Sequence, residues 1–380
     1  MDFTLSEEQA MMVDAAKRMV ETRIEPVLKA NPADRALPKS EVLKIMQAAA
    51  DLGIPGARIP EDAGGTAMRA LDYGLIHEHI PANLALMLQP HEATTMRFYY
   101  GCNEEQRERF LPDLLSCQRI CCSAITEPDV GSNPREVTTR VVEDGDWLVL
   151  TGRKMWISNA PVCDVMNVTC RDSAGKVVRV LVDRQESPFE TREIQTIGLR
   201  QSHLGEVVFN DVRVPRQNLC GEDGDAQKIH TLAWNTNRPL IGLTAVNLAQ
   251  KALDAAREYA GIRKQFGRPL GAFQLIQNDL AEMETLITAS RLVCYNALAA
   301  LDRGERTNGL AAMAKRYAVD SCDRAIALAM RIHGAMGLST ELGLEQLARD
   351  VRMLTIPDGA PSILALIQGR ELTGIAAFRG

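Results

Sequence analysis

One stretch decides how the rest of the chain is interpreted: residues 124–132, which read AITEPDVGS. It starts like a β-strand and is broken at Pro128 and Gly131, so we predict a strand that ends in an exposed loop. Such a loop presents backbone N–H groups and two hydroxyls, which can bind an electron-rich ring or a phosphate. An ordinary β turn has the same composition, so the stretch alone leaves both interpretations open.

Three regions of the chain differ in their patterns of apolar and turn-forming residues. Residues 1–118 are predicted to be helical, with a capping box at Ser6 and Gln9, a helix that stops at Gly53, and an N-cap at Asn103. Residues 119–222 contain short β-branched runs separated by turn residues, which predict a small antiparallel β domain. Residues 223–380 return to long helical periodicity, as in Ile241, Ala245, Leu248 and Ala252, which favours a four-helix bundle.

Composition excludes several classes of protein. The 380 residues are 46% hydrophobic and carry a net charge of −6, so there is no global basic field for nucleic acid. The nine cysteines include no C-x-x-C pair, and we expect reduced, mostly buried thiols and no metal site. Residues 1–9 lack the features of a secretion signal and no long apolar run exists, so we expect a cytoplasmic protein without a membrane span.

Three further stretches carry candidate binding residues. Residues 154–160 read KMWISNA, and an indole beside a hydroxyl suits the face of a planar cofactor, although a core tryptophan is equally compatible. Residues 259–269 read YAGIRKQFGRP, where arginines near a predicted helix end at Phe266-Gly267 can hold a pyrophosphate or simply favour the helix dipole. Residues 333–337 read HGAMG and residues 357–360 read PDGA, and their small residues permit the close approach of a ligand or another backbone.

In this order and spacing, the four stretches resemble the FAD-dependent acyl-CoA dehydrogenase family over essentially the whole chain. Residues 3–9, FTLSEEQ, and residues 104–112, EEQRERFLP, are also similar to that family. The resemblance implies an α+β fold with an N-terminal α-helical domain, a central antiparallel β domain and a C-terminal four-helix bundle. It further implies FAD as cofactor, an acyl-CoA thioester as substrate, a homotetramer or homodimer, and an electron-transfer flavoprotein as electron acceptor.

The resemblance also assigns roles to individual residues, in two groups. The flavin ring and ribityl chain are expected at Ile125, Thr126, Trp156 and Ser158. The FAD pyrophosphate and adenosine are expected at Arg263 and Phe266, with Gln274 and Gly334 in the same neighbourhood and with contacts that cross a subunit boundary. Ser132 is expected near the pantetheine and phosphates, and Arg238 is expected to meet the coenzyme A end.

The catalytic position departs from the family pattern. The usual Tyr-Glu-Gly-Thr stretch is replaced by Pro357-Asp358-Gly359-Ala360, so the candidate base is a carboxylate one methylene shorter. We expect Asp358 in an apolar pocket, although an Asp-Gly turn is the alternative. The position that carries the base in some family members is Asn237, which cannot abstract a proton. Glu92 is a second candidate, as a second base or as a polar contact for the substrate. The alternative for Glu92 is a helix residue that faces solvent.

These residues predict α,β-dehydrogenation of an acyl-CoA or carrier-bound acyl thioester, with α-proton abstraction by Asp358 and hydride transfer to flavin N5. Ala360 and Ser362 replace two polar residues that are common after the family's catalytic glutamate, so other reactions stay open. The alternatives are a desulfinase, an enoyl-CoA reductase, a nitroalkane-oxidase-like enzyme and a catalytically silent flavoprotein. A polar, cyclic or carrier-bound acyl group suits the altered site better than a plain fatty chain.

Overall fold

The computed structural model describes residues 4–220 and 226–377. A helical layer comes first, and the Ser6–Gln9 and Asn103–Gln106 capping boxes that begin two of its helices are both formed. Its helices are α1 (Glu7–Met19), α2 (Glu25–Ala30), α3 (Lys39–Ala50), α4 (Ala70–His77), α5 (Ala82–Gly101) and α6 (Glu104–Leu115). A π-helical turn over Val20–Ile24 joins α1 to α2, and α3 is followed by Gly53 in the left-handed conformation, as predicted.

A seven-stranded sheet follows the helical layer. Its strands are β1 (Cys121–Ala124), β2 (Arg140–Asp144), β3 (Trp147–Ser158), β4 (Val165–Arg171), β5 (Val177–Asp183), β6 (Glu190–Glu193) and β7 (Leu204–Pro215). The order is β1–β4–β2–β3–β7–β6, and β5 pairs with β4. Most pairs are antiparallel, as predicted, but β1 lies parallel to β4 with Cys121 opposite Val165. This parallel pair was not predicted, because β1 reaches β4 through long-range pairing that the local pattern does not encode.

The remaining residues form a bundle of long helices. The elements are α7 (Ala226–Ile262), a short hairpin of β8 (Lys264–Gln265) and β9 (Arg268–Pro269), α8 (Gln274–Asp302), α9 (Asn308–His333), α10 (Leu344–Met353) and α11 (Pro361–Thr373). The predicted helix end at Phe266 is four residues late. The chain leaves α7 at Ile262 because Phe266 and Gly267 both take positive φ and close the hairpin turn.

The central helix α5 lies between the sheet and the bundle. It packs against β1 on one side and α7 on the other, and its residues from Ala82 to Phe98 are almost all buried. One core joins the helical layer, the sheet and part of the bundle, while a second core fills the interior of α7, α8, α9 and α10. Polar residues on α5 are therefore held at the junction of all three regions.

Three further expectations concern the domain limits, the cysteines and membrane-spanning helices. The expected limit at 118/119 falls between α6 and β1, and the limit at 222/223 lies outside the described residues. All nine cysteines are free thiols, and all except Cys102 are buried. Within residues 4–220 and 226–377, no helix is long and apolar enough to cross a membrane.

Candidate active site

The loop at 124–132 is anchored by a buried ion pair. The ammonium of Lys154, on β3, donates to the backbone oxygen of Ile125 at 3.0 Å and to the Glu127 carboxylate at 2.9 Å. That carboxylate also accepts from both the backbone N–H and the hydroxyl of Thr138. Burial alone raises the pKa of Glu127, but these hydrogen bonds bring it to about 2. The loop therefore has a fixed shape before any ligand binds.

The second stretch lies directly beside this loop. The backbone N–H of Met155 donates to the oxygen of Thr126 at 2.9 Å, which joins β3 to the segment after β1. The next residue, Trp156, has a φ of 61° and leaves its indole 52% exposed. A half-exposed aromatic face beside a threonine suits a planar ring such as a flavin. Ile125, Thr126, Trp156 and Ser158 all keep some exposed surface on these two joined segments, while Ser132 lies exposed further along the loop.

The third and fourth stretches meet at one end of the bundle. The rings of Tyr259, near the end of α7, and His333, at the end of α9, stack with centroids 4.3 Å apart. Beyond Tyr259, the hairpin exposes Arg263, and 93% of the Phe266 side chain is exposed. Gln274 and Gly334 are exposed beside these residues. The structure thus groups the four residues expected to hold the nucleotide half of FAD.

The two groups of expected FAD residues make no direct contact with each other within the described part of one chain. No hydrogen bond or ring contact among the described residues joins the surface at Thr126 and Trp156 to the hairpin at Arg263 and Phe266. The second group is solvent-exposed in a single chain. This separation fits a cofactor that is shared across a subunit boundary.

Two buried cations shape the backbone around Asp358. The guanidinium of Arg238, on α7, donates from Nε to the backbone oxygen of Asp358 at 3.0 Å. The ammonium of Lys315, on α9, donates to the oxygens of Thr355 at 3.1 Å and Gly359 at 2.7 Å, and also to that of Pro357. Asp358 has a φ of 54°, a conformation that is costly for a residue other than glycine, and these bonds maintain it.

The surroundings of Asp358 correct one expectation. The predicted apolar pocket is wrong, because Arg238 and Lys315 are both buried next to the loop. Burial lowers the pKa of Lys315 to about 8, against the opposing influence of the nearby Asp358 carboxylate. The half-buried carboxylate therefore lies in a cationic environment.

Glu92 lies inside the protein and forms an ion pair with Arg58. Its side chain is fully buried, so the solvent-facing alternative is wrong. Nε of Arg58 lies 2.7 Å from Oε1 of Glu92, and Nη2 of Arg58 bonds to Oε2. The same Nη2 lies 3.3 Å from Oδ1 of Asn237, next to Arg238. The pair is thereby connected to the segment that holds the Asp358 loop.

A third arginine, Arg97, connects the Asp358 region to β1. It lies on α5 and is 6% exposed, and its Nη1 donates to the hydroxyl of Ser123 at 3.2 Å. Burial lowers the pKa of Arg97 to about 10, and the carboxylate of Asp358 is the strongest influence opposing that change. Ser123 lies in β1, two residues before Ile125. Arg97 therefore joins α5 to the strand that leads into the candidate flavin loop.

Sequence reasoning missed Arg58, Arg97 and Lys315. Each cation has apolar neighbours along the chain: Arg58 precedes the buried Ile59, Arg97 lies between Met96 and Phe98, and Lys315 follows Ala314. A charged residue inside an apolar run is a usable signal, because such residues are rarely fully buried unless they are paired. The signal indicates burial, but it does not identify the partner.

Models of three known protein domains match the chain in sequence. The acyl-CoA dehydrogenase N-terminal domain matches residues 6–118, the middle domain matches residues 122–212, and the C-terminal domain matches residues 228–373. The chain belongs to the acyl-CoA dehydrogenase family. This membership confirms the predicted fold, the predicted enzyme class and FAD as cofactor, with an acyl-CoA thioester as the substrate class.

Individual relatives cover nearly the whole chain. Glutaryl-CoA dehydrogenase of Desulfococcus multivorans is 32% identical, and the match covers 99% of both chains. The mitochondrial isobutyryl-CoA dehydrogenase of Dictyostelium discoideum is 31% identical, covering 97% of this chain and 90% of the relative. Among solved structures, butyryl-CoA dehydrogenase of Megasphaera elsdenii superposes with a TM-score of 0.89 at 28% identity, covering 98% of this chain and 100% of the other. These acyl-CoA dehydrogenases are named for different acyl groups.

Proposed function

We propose that Asp358 is the base with which this acyl-CoA dehydrogenase removes the α-proton of its thioester substrate. The observation that carries the proposal is the loop at 355–359, whose backbone oxygens accept hydrogen bonds from the buried cations Arg238 and Lys315. A general base must first be held within reach of its proton, and a preorganised backbone achieves this. Asn237 offers no carboxylate, so Asp358 is the better base on this side of the site.

The other residues of the site position the reactants. FAD supplies an acceptor for the β-hydride at N5 when it is bound. Ile125, Thr126, Trp156 and Ser158 would hold its ring, and Arg263, Phe266, Gln274 and Gly334 of a neighbouring subunit would hold the nucleotide. Ser132 and Arg238 are assigned to the coenzyme A side. Because Glu92 is already bound by Arg58, we assign it to positioning that arginine instead of proton abstraction.

The assembly we propose is a homodimer or homotetramer. Support comes from large apolar side chains that one chain leaves exposed, including Phe266 at 93% and Leu275 at 80%. Phe266 lies in the hairpin turn and Leu275 at the start of α8. Both are beside the residues expected to complete the FAD site of a neighbouring subunit. An electron-transfer flavoprotein is the proposed acceptor, and cytoplasm the proposed compartment.

Anaerobic mixing with a panel of acyl-CoA and carrier-bound thioesters tests this function. We expect at least one thioester to bleach the oxidised flavin absorbance in the native protein and not in Asp358→Asn. A second arm measures oxygen consumption with nitroalkanes. Oxygen consumption with nitroalkanes, without bleaching by any thioester, would overturn the proposal and favour an oxidase. Equal bleaching in Asp358→Asn would overturn the assignment of the base.

A further inference from the structure

We infer that the acyl group carries a carboxylate at its far end and that Arg97 and Arg58 bind this carboxylate. The inference rests on the proposed role of Asp358, because it places the acyl chain beside that residue. It begins with Arg97, which is 6% exposed and has no carboxylate within ion-pair distance among the described residues. Its Nη1 bonds to the neutral Ser123 hydroxyl, and its buried Nε has no hydrogen-bond partner in the described part of the chain.

Arg58 also retains an unused donor. Glu92 accepts from its Nε and Nη2, and Asn237 accepts a weaker bond from Nη2. The buried Nη1 has no hydrogen-bond partner within residues 4–220 and 226–377. A buried guanidinium is normally satisfied by oxygen acceptors on all sides, and an unmade bond to a charged group is costly. Arg58 and Arg97 thus both keep an unsatisfied buried N–H among the described residues. The bond from Arg58 to Asn237 places Arg58 beside the segment that holds the Asp358 loop.

The charges around Asp358 do not balance. Among the described residues, the Asp358 carboxylate interacts electrostatically with four cations, Arg58, Arg97, Arg238 and Lys315. Against these four positive charges stand the two negative charges of Asp358 and of Glu92, the partner of Arg58, which leaves two in excess. The Arg238 guanidinium bonds to the Asp358 oxygen and lies over the ring of Trp234, and it forms no ion pair among the described residues. An excess of buried positive charge is expensive unless a bound anion compensates it. The site is thus built for a substrate with negative charge near the reacting carbons.

The position of the arginines identifies which part of the substrate supplies the anion. An acyl-CoA carries negative charge on its phosphates, but the pantetheine arm separates them from the thioester. Arg97 instead shares α5 with Glu92, whose partner Arg58 reaches Asn237 beside the residue that holds the Asp358 loop. Arg97 also bonds to Ser123, two residues from the candidate flavin loop. A negative charge here belongs to the acyl group itself. Guanidinium groups bind planar carboxylates in a bidentate manner, which suits a dicarboxylic acyl chain.

The test compares thioesters of equal chain length with and without a terminal carboxylate. Succinyl-CoA is paired with butyryl-CoA, and glutaryl-CoA with pentanoyl-CoA. Dissociation constants are measured by titration calorimetry on the FAD-loaded protein, and flavin bleaching is followed separately. We expect the native protein to bind one carboxylate-ended thioester about 10-fold or more tightly than its neutral partner, the scale of a charged hydrogen bond. Arg97→Met should abolish this preference, and Arg97→Lys should retain part of it.

A matched control and a stability measurement separate binding from folding. Arg107→Met removes a half-buried arginine that contacts only the ring of Tyr99, and it should leave the preference unchanged. Because Arg97 has no carboxylate partner, Arg97→Met should not lower the melting temperature, whereas a structural role for Arg97 predicts a clear decrease.

The outcomes distinguish this inference from the proposed function. Equal affinity for carboxylate-ended and neutral thioesters in the native protein overturns the inference, even if neutral thioesters bleach the flavin. A preference that survives in Arg97→Met overturns the assignment of the arginine. If no thioester bleaches the flavin but the preference exists and depends on Arg97, the anion site stands and the proposed reaction fails.

Discussion

Arg58 and Glu92 form a two-point ion pair inside the protein, with Nε of Arg58 2.7 Å from Oε1 of Glu92 and a second bond from Nη2 to Oε2. Arg58 lies in the loop after α3, and Glu92 lies on α5. Their side chains are 8% and 0% exposed, so water does not screen the pair. The pair ties a loop of the helical layer to the central helix next to Asn237.

The first prediction concerns this pair. Replacing one partner leaves the other charge buried alone, so Arg58→Met or Glu92→Gln should each cost about 3–5 kcal/mol of stability. The double variant Arg58→Met/Glu92→Gln should recover most of this loss, because no unpaired charge remains. Thermal unfolding at fixed protein and FAD concentrations measures the three variants. Additive losses in the double variant would show that the two side chains are not energetically coupled.

The second prediction concerns the base. Asp358→Asn should keep FAD and bind the thioester, yet reduce the flavin at least about 10²-fold more slowly, the scale expected for loss of a general base. Rates are expressed per bound flavin in anaerobic stopped flow. Glu92→Gln, measured in the same way, should have the smaller effect. The opposite ranking of the two variants would transfer the role of base to Glu92.

Asp358→Glu tests how closely the site is built around a short carboxylate. Arg238 and Lys315 hold the backbone on both sides of the residue, so the loop has little freedom to retreat from a longer side chain. We expect the extra methylene to crowd the site and lower the reduction rate, as overpacking does elsewhere. A rate equal to or above that of the native protein in stopped flow would show that the loop adjusts.

The third prediction concerns Lys315 and pH. Its pKa is lowered by burial to about 8, and its three donors serve three backbone oxygens. A neutral amine has only two donors, so the loop should loosen and flavin reduction should fall as the pH rises through about 8. Lys315→Arg stays charged and should lose this pH dependence. Its persistence in Lys315→Arg would assign it to another group.

The contribution of Lys315 to stability changes with pH in the direction opposite to the predicted rate of flavin reduction. The pKa of the folded state, about 8, lies below the ordinary lysine value of 10.5. Between these values the unfolded chain holds a proton that the folded chain has released, so the free energy of unfolding rises with pH across this window. Below pH 8 both states are protonated and the contribution is constant. Melting curves of the native protein and Lys315→Arg between pH 7 and 10 measure the difference.

The fourth prediction concerns assembly. If Arg263 binds FAD that is mainly held by a neighbouring subunit, Arg263→Ala should weaken both FAD retention and the oligomer, since a ligand shared across an interface stabilises it. Arg257→Ala removes an exposed arginine of α7 whose partner is Asp254, and it serves as the control. Light scattering and flavin absorbance measure both properties. A native monomer with a full complement of FAD would contradict the shared site.

Local sequence predicted those features that depend on a few neighbouring residues. The capping box at Ser6 and the N-cap at Asn103 form because a side chain and a backbone N–H only three residues apart satisfy each other. The β-branched runs became strands for a similar reason, since their side chains suit the extended backbone wherever they pair. The order and spacing of the four stretches were sufficient to identify the family, because cofactor binding and catalysis require particular residue types at those positions.

Tertiary structure decided the charges around Asp358. Arg58, Arg97 and Lys315 come from a loop, α5 and α9, which are separated by tens to hundreds of residues in the sequence. Their burial depends on how these elements pack, and a local window cannot distinguish a buried arginine from one on the surface. The predicted apolar pocket failed for this reason: the residues next to Asp358 in sequence are mostly small or apolar, whereas its spatial neighbours are cations. The electrostatics of the site follow from long-range packing, because charges interact across space independently of their sequence separation.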